Sequence, residues 1–235
     1  MWVNIGRHQF HLPTGKPQVL RGRVGMVVPD LAALEARLAR VAPALKDTRF
    51  GYAPRNGCLE VTCPWGNRLC CHAPAEKFGG MSLGIAYVEF SVPVGTAAGI
   101  ARFYSSIMGA SALAGEQAEG MTARVKIGGR EQLLFRETDA PQPAYDGHHI
   151  QVYVADFSGP HARLKQRGLI TEESDQHQYR FQDLVDPDSG ARLFTIEHEI
   201  RSLRHPLYAR PLVNRNPAQS NRAYLPGMDA LAGGY

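Results

Sequence analysis

The sequence predicts an α+β protein assembled from repeated strand–helix–strand–strand–strand units, and three observations lead there. The stretch His149-Ile150-Gln151-Val152-Tyr153-Val154 alternates strictly, with His149, Gln151 and Tyr153 on one face and three aliphatic residues on the other. Such period-two alternation marks a strand with one side on an apolar layer. A short helix over 160–167 follows, closed by Gly168. The same strand-then-helix order occurs earlier, at 24–28 followed by 31–41. The polar side of the later strand, a histidine, an amide and a phenol, reads as the wall of a cavity.

Taken in order, 2–5 and 8–12 form a hairpin about Gly6-Arg7, followed by a Pro- and Gly-bearing loop at 13–17. A strand at 24–28 leads to a helix over 31–41, with Asp30 as N-cap and Leu31, Leu34, Leu38 and Val41 on one face. Strands are expected at 49–52, 59–62 and 68–72, the last two joined by a turn at Pro64-Trp65-Gly66-Asn67, and 74–81 reads as a linker. The pattern then restarts. A strand over 85–92 sends Tyr87, Glu89 and Ser91 one way and Val88, Phe90 and Val92 the other. A helix over 96–108 ends at Gly109, and strands at 121–127 and 131–136 meet at Gly128-Gly129. After the 149–154 strand and its helix come strands near 178–184 and 193–200 about the turn Asp186-Pro187-Asp188-Ser189-Gly190.

The halves align on landmarks in the same order: Val3 with Val125, Val24 with Ile150, and Pro64 with Pro187. That regularity predicts an internal duplication, and a lone unit exposes a sheet face, so units must pair to close a core. The division expected is an N-terminal half at 1–76, a C-terminal pair of units at 81–200, and an extended arm at 201–235. Within the arm, Pro206, Pro211, Pro217 and Pro226 forbid long regular structure. It is expected to lie over the body or to reach a second copy, making a homodimer.

Composition narrows the function classes. The net charge is +4 and hydrophobic content 44%, ordinary for a globular chain. The excess charge sits in the tail, at Arg201, Arg204, Arg210, Arg215 and Arg222, and the body shows no basic stripe with interleaved aromatics, which argues against nucleic acid. Nothing reads as a bilayer span or signal peptide, so a cytoplasmic, reducing location is expected. Cys58, Cys63, Cys70 and Cys71 cluster without a C-x2-C pair, and buried thiols are expected ahead of a metal site.

The opener His149-Ile150-Gln151-Val152-Tyr153-Val154-Ala155-Asp156, the segment Ala101-Arg102-Phe103-Tyr104 with Met108-Gly109, and the two closing turns resemble the vicinal oxygen chelate superfamily, the group of glyoxalase I, fosfomycin-resistance proteins and extradiol dioxygenases. The resemblance covers roughly 1–200. It implies βαβββ modules paired into curved, half-barrel sheets around a cleft, with the first module lacking its opening strand and helix. It also implies a divalent metal (Fe, Zn, Mn or Ni) that chelates neighbouring substrate oxygens as a Lewis acid.

Carried onto this chain, the resemblance makes His149 the principal metal ligand, with Glu197 or Glu89 as the carboxylate. Tyr87 stands where a histidine is expected, two residues before Glu89 on the same face. Catalytic candidates are therefore Glu197, Glu89 and Tyr87. Gln151, Tyr153, Arg23 and His11 are substrate-binding candidates, Arg23 through a bidentate grip on a carboxylate and His11, with Gln9, in a second cleft. Tyr87 and Glu89 are expected to face His149 and Gln151 across one hollow. The functions that follow are a metal-dependent lyase or dioxygenase-like enzyme acting on a small oxygenated substrate, or a metal-free protein that sequesters a small ligand in the same cleft. A purely structural homo-oligomer leaves Glu89 and Gln151 without a role.

Overall fold

A computed structural model of the chain describes residues 2–55, 57–175 and 177–208. A two-stranded hairpin, β1 (Trp2–Ile5) and β2 (His8–His11), opens the chain. Three βαβββ modules then follow in order. The first is β3 (Gly22–Val27), α1 (Leu31–Val41), β4 (Gly51–Arg55), β5 (Cys58–Thr62) and β6 (Arg68–His72). The second is β7 (Gly84–Pro93), α2 (Ala97–Ser106), β8 (Ala112–Gln117), β9 (Gly120–Lys126) and β10 (Gln132–Thr138). The third is β11 (His149–Val154), α3 (Ser158–Gln166), β12 (Ile170–Ser174), β13 (Gln178–Val185) and β14 (Arg192–Ser202). In each, the first and last strands pair in parallel: β3 with β6, β7 with β10, and β11 with β14. The expected mixed α+β architecture of repeated βαβββ modules is what the chain adopts, in sheets that do not close into a barrel.

The chain groups into two compact units. One comprises 2–148 with 184–195, the other 149–183 with the described residues from 196 onward. In the first unit, modules one and two share an eight-stranded sheet of order β4-β5-β6-β3-β7-β10-β9-β8. They join through an antiparallel β3–β7 pair that sets Arg23 opposite Glu89 and Gly25 opposite Tyr87. The third module is a separate four-stranded sheet, β11-β14-β13-β12. The arm expected at 201–235 falls largely on 209–235, outside the described residues.

Alternation explains which side of each sheet is filled. From β3, β5 and β6, Val24, Met26, Leu59, Val61 and Cys71 pack into a core against Leu31, Leu34 and Leu38 of α1. That helix starts at Asp30, whose side chain accepts from the Ala33 amide at 2.9 Å. Val41, expected on the packed face, is 45% exposed, because α1 gives way there to a 3-10 turn. From β7 and β10, Phe90, Leu133 and Phe135 are fully buried with Ile100 and Phe103 of α2, and the rings of Phe90 and Phe135 stack at 5.1 Å. In the second unit Leu164, Phe181, Ile196 and Ile200 do the same work. Each sheet thus keeps one face free of helices, and the polar alternate residues stand there.

Two strands were not legible in the sequence. β8 and β12 are edge strands with largely exposed residues, so neither carries the apolar alternation that betrays a half-buried strand. No helix among the described residues is long and apolar enough to cross a membrane.

Candidate functional site

On the helix-free face of the first unit, the strand register gathers side chains from β3, β6, β7 and β10. Glu89 is 6% exposed. Its carboxylate accepts from Arg23 at 3.0 Å and from Arg136 at 2.6 Å. Both guanidiniums also reach Glu119 on the β8–β9 turn, whose side chain is 56% exposed. A carboxylate this buried would be costly alone, and two arginines offset its charge. Beside this group the Tyr87 hydroxyl and His72 Nε2 are hydrogen-bonded at 3.1 Å. Burial lowers the His72 pKa, with Lys77 and Arg23 adding to the effect and the Gly57 backbone opposing it. Burial likewise raises that of Tyr87. Tyr87 fits because residue 25 is glycine: a Cβ there would stand 2.1 Å from the ring.

In the same unit lies an open cavity of about 440 Å³ lined by Arg21, Ser91, Tyr145, Arg192 and Phe194, among others. The Arg21 guanidinium lies 4.3 Å from the Phe194 ring centroid and 5.4 Å from that of Tyr145. Ser91 links cavity and ion-pair cluster, since it sits opposite Arg136 in the β7–β10 register and its amide donates to the Arg21 carbonyl at 2.8 Å.

The second unit repeats the charge pattern. Glu199, 4% exposed, is held by Arg180 and Arg201. Glu197 accepts from Arg180 at 2.6 Å and from Gln182 at 3.1 Å. Arg201 donates to Gln178 at 3.0 Å and lies 3.4 Å from the Tyr153 hydroxyl. His149 pairs with Glu197, and Gln151 with Glu199, across the parallel β11–β14 register.

The sequence-predicted residues therefore fall into two groups. Arg23, Glu89 and Tyr87 come together in the first unit, joined by Arg136, Glu119 and His72, which sequence reasoning did not single out. The signal for the last was available: His72 shares alternation with Cys70 on a strand next to the module opener. His149, Gln151, Tyr153 and Glu197 come together in the second unit. Tyr87 and Glu89 stand in the eight-stranded sheet, where β3 pairs with β7, and His149 and Gln151 stand in the four-stranded sheet beside β14. His11 is exposed on the hairpin, its ring stacked on Trp2 at 4.2 Å. Its strand pairs with β1 in a two-stranded sheet. Two of the four cysteines also depart from the expected free thiols: Cys58 and Cys70 form a disulfide, and Cys71 and Cys63 remain free.

Neither group fits the divalent metal that the sequence resemblance implies. In the first unit the opening strands carry Arg23, Tyr87 in place of a histidine, and a glutamate already bound by two guanidiniums, so a cation there would meet fixed positive charge at short range. In the second, His149 and Glu197 give two donors where catalytic sites carry three, and Glu197 is engaged by Arg180.

The sequence matches no protein-family model and no curated protein. Solved structures are similar to it. A candidate dioxygenase from Bacillus subtilis superposes with a TM-score of 0.50 at 16% identity, over 78% of this chain and 62% of that one. Glyoxalase I from Zea mays gives 0.48 at 13% identity, over 76% and 66%. TnmS3, an antibiotic binding protein from Streptomyces sp. CB03234, gives 0.34 at 21%, over 48% and 92%. The chain thus spans under two thirds of the Bacillus protein, and at 16% identity that likeness is one of fold alone.

Proposed function

We propose, from the vicinal oxygen chelate fold that this chain shares with its structural neighbours, that the protein binds a small, oxygen-rich anionic molecule in its first unit, without a metal at the module-opening positions. The observation that carries this reading is the Arg23–Glu89–Arg136 group. Glu89 fixes two guanidiniums on the open face of a sheet, and an exposed carboxylate, Glu119, already sits on both. A ligand carboxylate takes the place of Glu119, matching the planar fork of arginine. Its body extends past Ser91 toward the cavity, whose volume of about 440 Å³ lies within the range typical of small-molecule sites. Arg21 and Tyr145 supply a further charge and an aromatic wall.

Calorimetric titration with a panel of small carboxylates, in the presence of a chelator, tests the proposal. Arg136→Ala should weaken binding by roughly 10- to 100-fold, the worth of one charge-assisted hydrogen bond, whereas Glu119→Gln should strengthen it by removing the internal competitor. Binding that ignores both substitutions, or that requires added metal, overturns the reading. The competing function, a metal-dependent lyase or dioxygenase, is favoured by the register of His149 on Glu197. It would be restored by stoichiometric metal in the purified protein that disappears in His149→Ala. A homodimer through the arm and a cytoplasmic location complete the proposal, the first checked by sedimentation.

A further inference from the structure

We infer that Cys58, Cys70 and His72 form a redox-gated site for a soft divalent cation, zinc in chemical class, in which the disulfide and the metal exclude one another. The three residues lie on one hairpin. In the β5–β6 register Leu59 faces Cys71, which sets Cys58 opposite His72, with Cys70 two residues before it on the same face. Their ligand atoms all fall within 4.8 Å of one another. A tetrahedral zinc with bonds of about 2.0–2.3 Å needs donor–donor edges of roughly 3.3–3.8 Å, so the hairpin delivers the donors close to the required separation without moving a strand. This placement, on β5 and β6, differs from the opening strands β3 and β7 that carry Arg23, Tyr87 and Glu89.

His72 is prepared as a ligand. It is 9% exposed, its Nε2 is hydrogen-bonded to Tyr87, and the Gly57 backbone also acts on the ring, although its buried Nδ1 makes no hydrogen bond of standard geometry. A partner on one ring nitrogen orients the ring and fixes which nitrogen is left for the metal. Two thiolates and a neutral imidazole would hold a divalent ion at zero net charge, which suits a half-buried site. Three protein donors leave the fourth position of the tetrahedron open to water or a ligand atom.

The interconversion balances. A dithiol reductant supplies two electrons and two protons, the Cys58–Cys70 sulfur–sulfur bond breaks, two thiols form, and the reductant leaves as its own disulfide. A divalent cation then binds two thiolates as their two protons pass to solvent. In a reducing compartment the chain would hold metal; in an oxidising one, the bridge.

Cobalt(II) titration of the full chain provides the test. The protein reduced by a dithiol and freed of reductant should bind one equivalent with a thiolate-to-cobalt charge-transfer band and the intense visible bands of a tetrahedral site, and the oxidised protein should show neither. Cys58→Ser, a conservative change at a strand start, should weaken binding by more than the roughly 10- to 100-fold that loss of a supporting hydrogen bond costs. His72→Ala should alter the visible bands, and Cys63→Ser should leave them unchanged. A reduced protein without the charge-transfer band, or a band that survives Cys58→Ser at full strength, overturns the inference.

Discussion

Gly25 shows how much the candidate site owes to single side chains. It lies opposite Tyr87, whose ring crosses the strand where a Cβ would be, and that position lets the phenol meet His72. Gly25→Ala should push the ring aside at a cost of about 1–3 kcal/mol, the usual range for overpacking, and should separate the two groups. A urea melt together with the His72 imidazole resonance reads both effects; an unshifted resonance would show that the pair survives. Glu89 carries the opposite lesson. Its removal as Glu89→Leu leaves Arg23 and Arg136 with only the exposed Glu119, and their side chains keep 23% and 24% of their surface in water. The loss of stability should therefore stay below the about 3–5 kcal/mol seen when a fully buried pair is broken, while ligand affinity collapses because nothing aims the guanidiniums.

Among the elements, β14 and the β5–β6 hairpin make separate predictions. On β14, His198 is 1% exposed, stacks on Phe181 at 4.3 Å, and donates through Nδ1 to the Ile196 carbonyl. Burial lowers its pKa from 6.5 to about 4. Above pH 6.5 both folded and unfolded forms are neutral and the full contribution is present. As pH falls from 6.5 to about 4 the unfolded chain takes up a proton that the folded chain refuses, so stability drops across that window and flattens below it. The shift corresponds to about 3 kcal/mol. Thermal midpoints followed over this window should fall in the native protein and fall much less in His198→Leu; equal slopes would remove His198 as the cause. The hairpin is bridged by Cys58–Cys70 across a sequence separation of 12. Reduction in chelator should cost roughly 3 kcal/mol by loop-closure entropy, and zinc should return part of that loss to the reduced protein if the inferred site forms. A urea midpoint indifferent to reductant would argue that the bridge does not constrain the unfolded chain.

At the scale of the molecule, the same module is used in two settings. Two copies merge through β3 and β7 into one eight-stranded sheet, and the third builds its own four-stranded sheet. In each setting a buried glutamate on the helix-free face is shared by two arginines: Glu89 by Arg23 and Arg136, Glu199 by Arg180 and Arg201. The recurrence makes charge-balanced carboxylates a shared feature of these two faces. Metal analysis of the purified chain, oxidised and reduced, separates the possibilities. Metal that follows His149 supports enzyme chemistry in the second unit, and metal that appears only after reduction follows the cysteines.

The sequence by itself determined the modules. Alternation of period two and helices closed by Gly109 and Gly168 depend on neighbours a few residues away, so they are written locally; so was the division of Tyr87, Glu89 and Arg23 from the core. Which modules share a sheet was decided only in the tertiary structure. Edge pairing is a contest between strands of similar pattern, and β3 rather than β11 holds the edge of β7. The partners of Glu89, the disulfide and the approach of His72 to Tyr87 follow from that pairing and from residues distant in the chain, whose proximity no local pattern records.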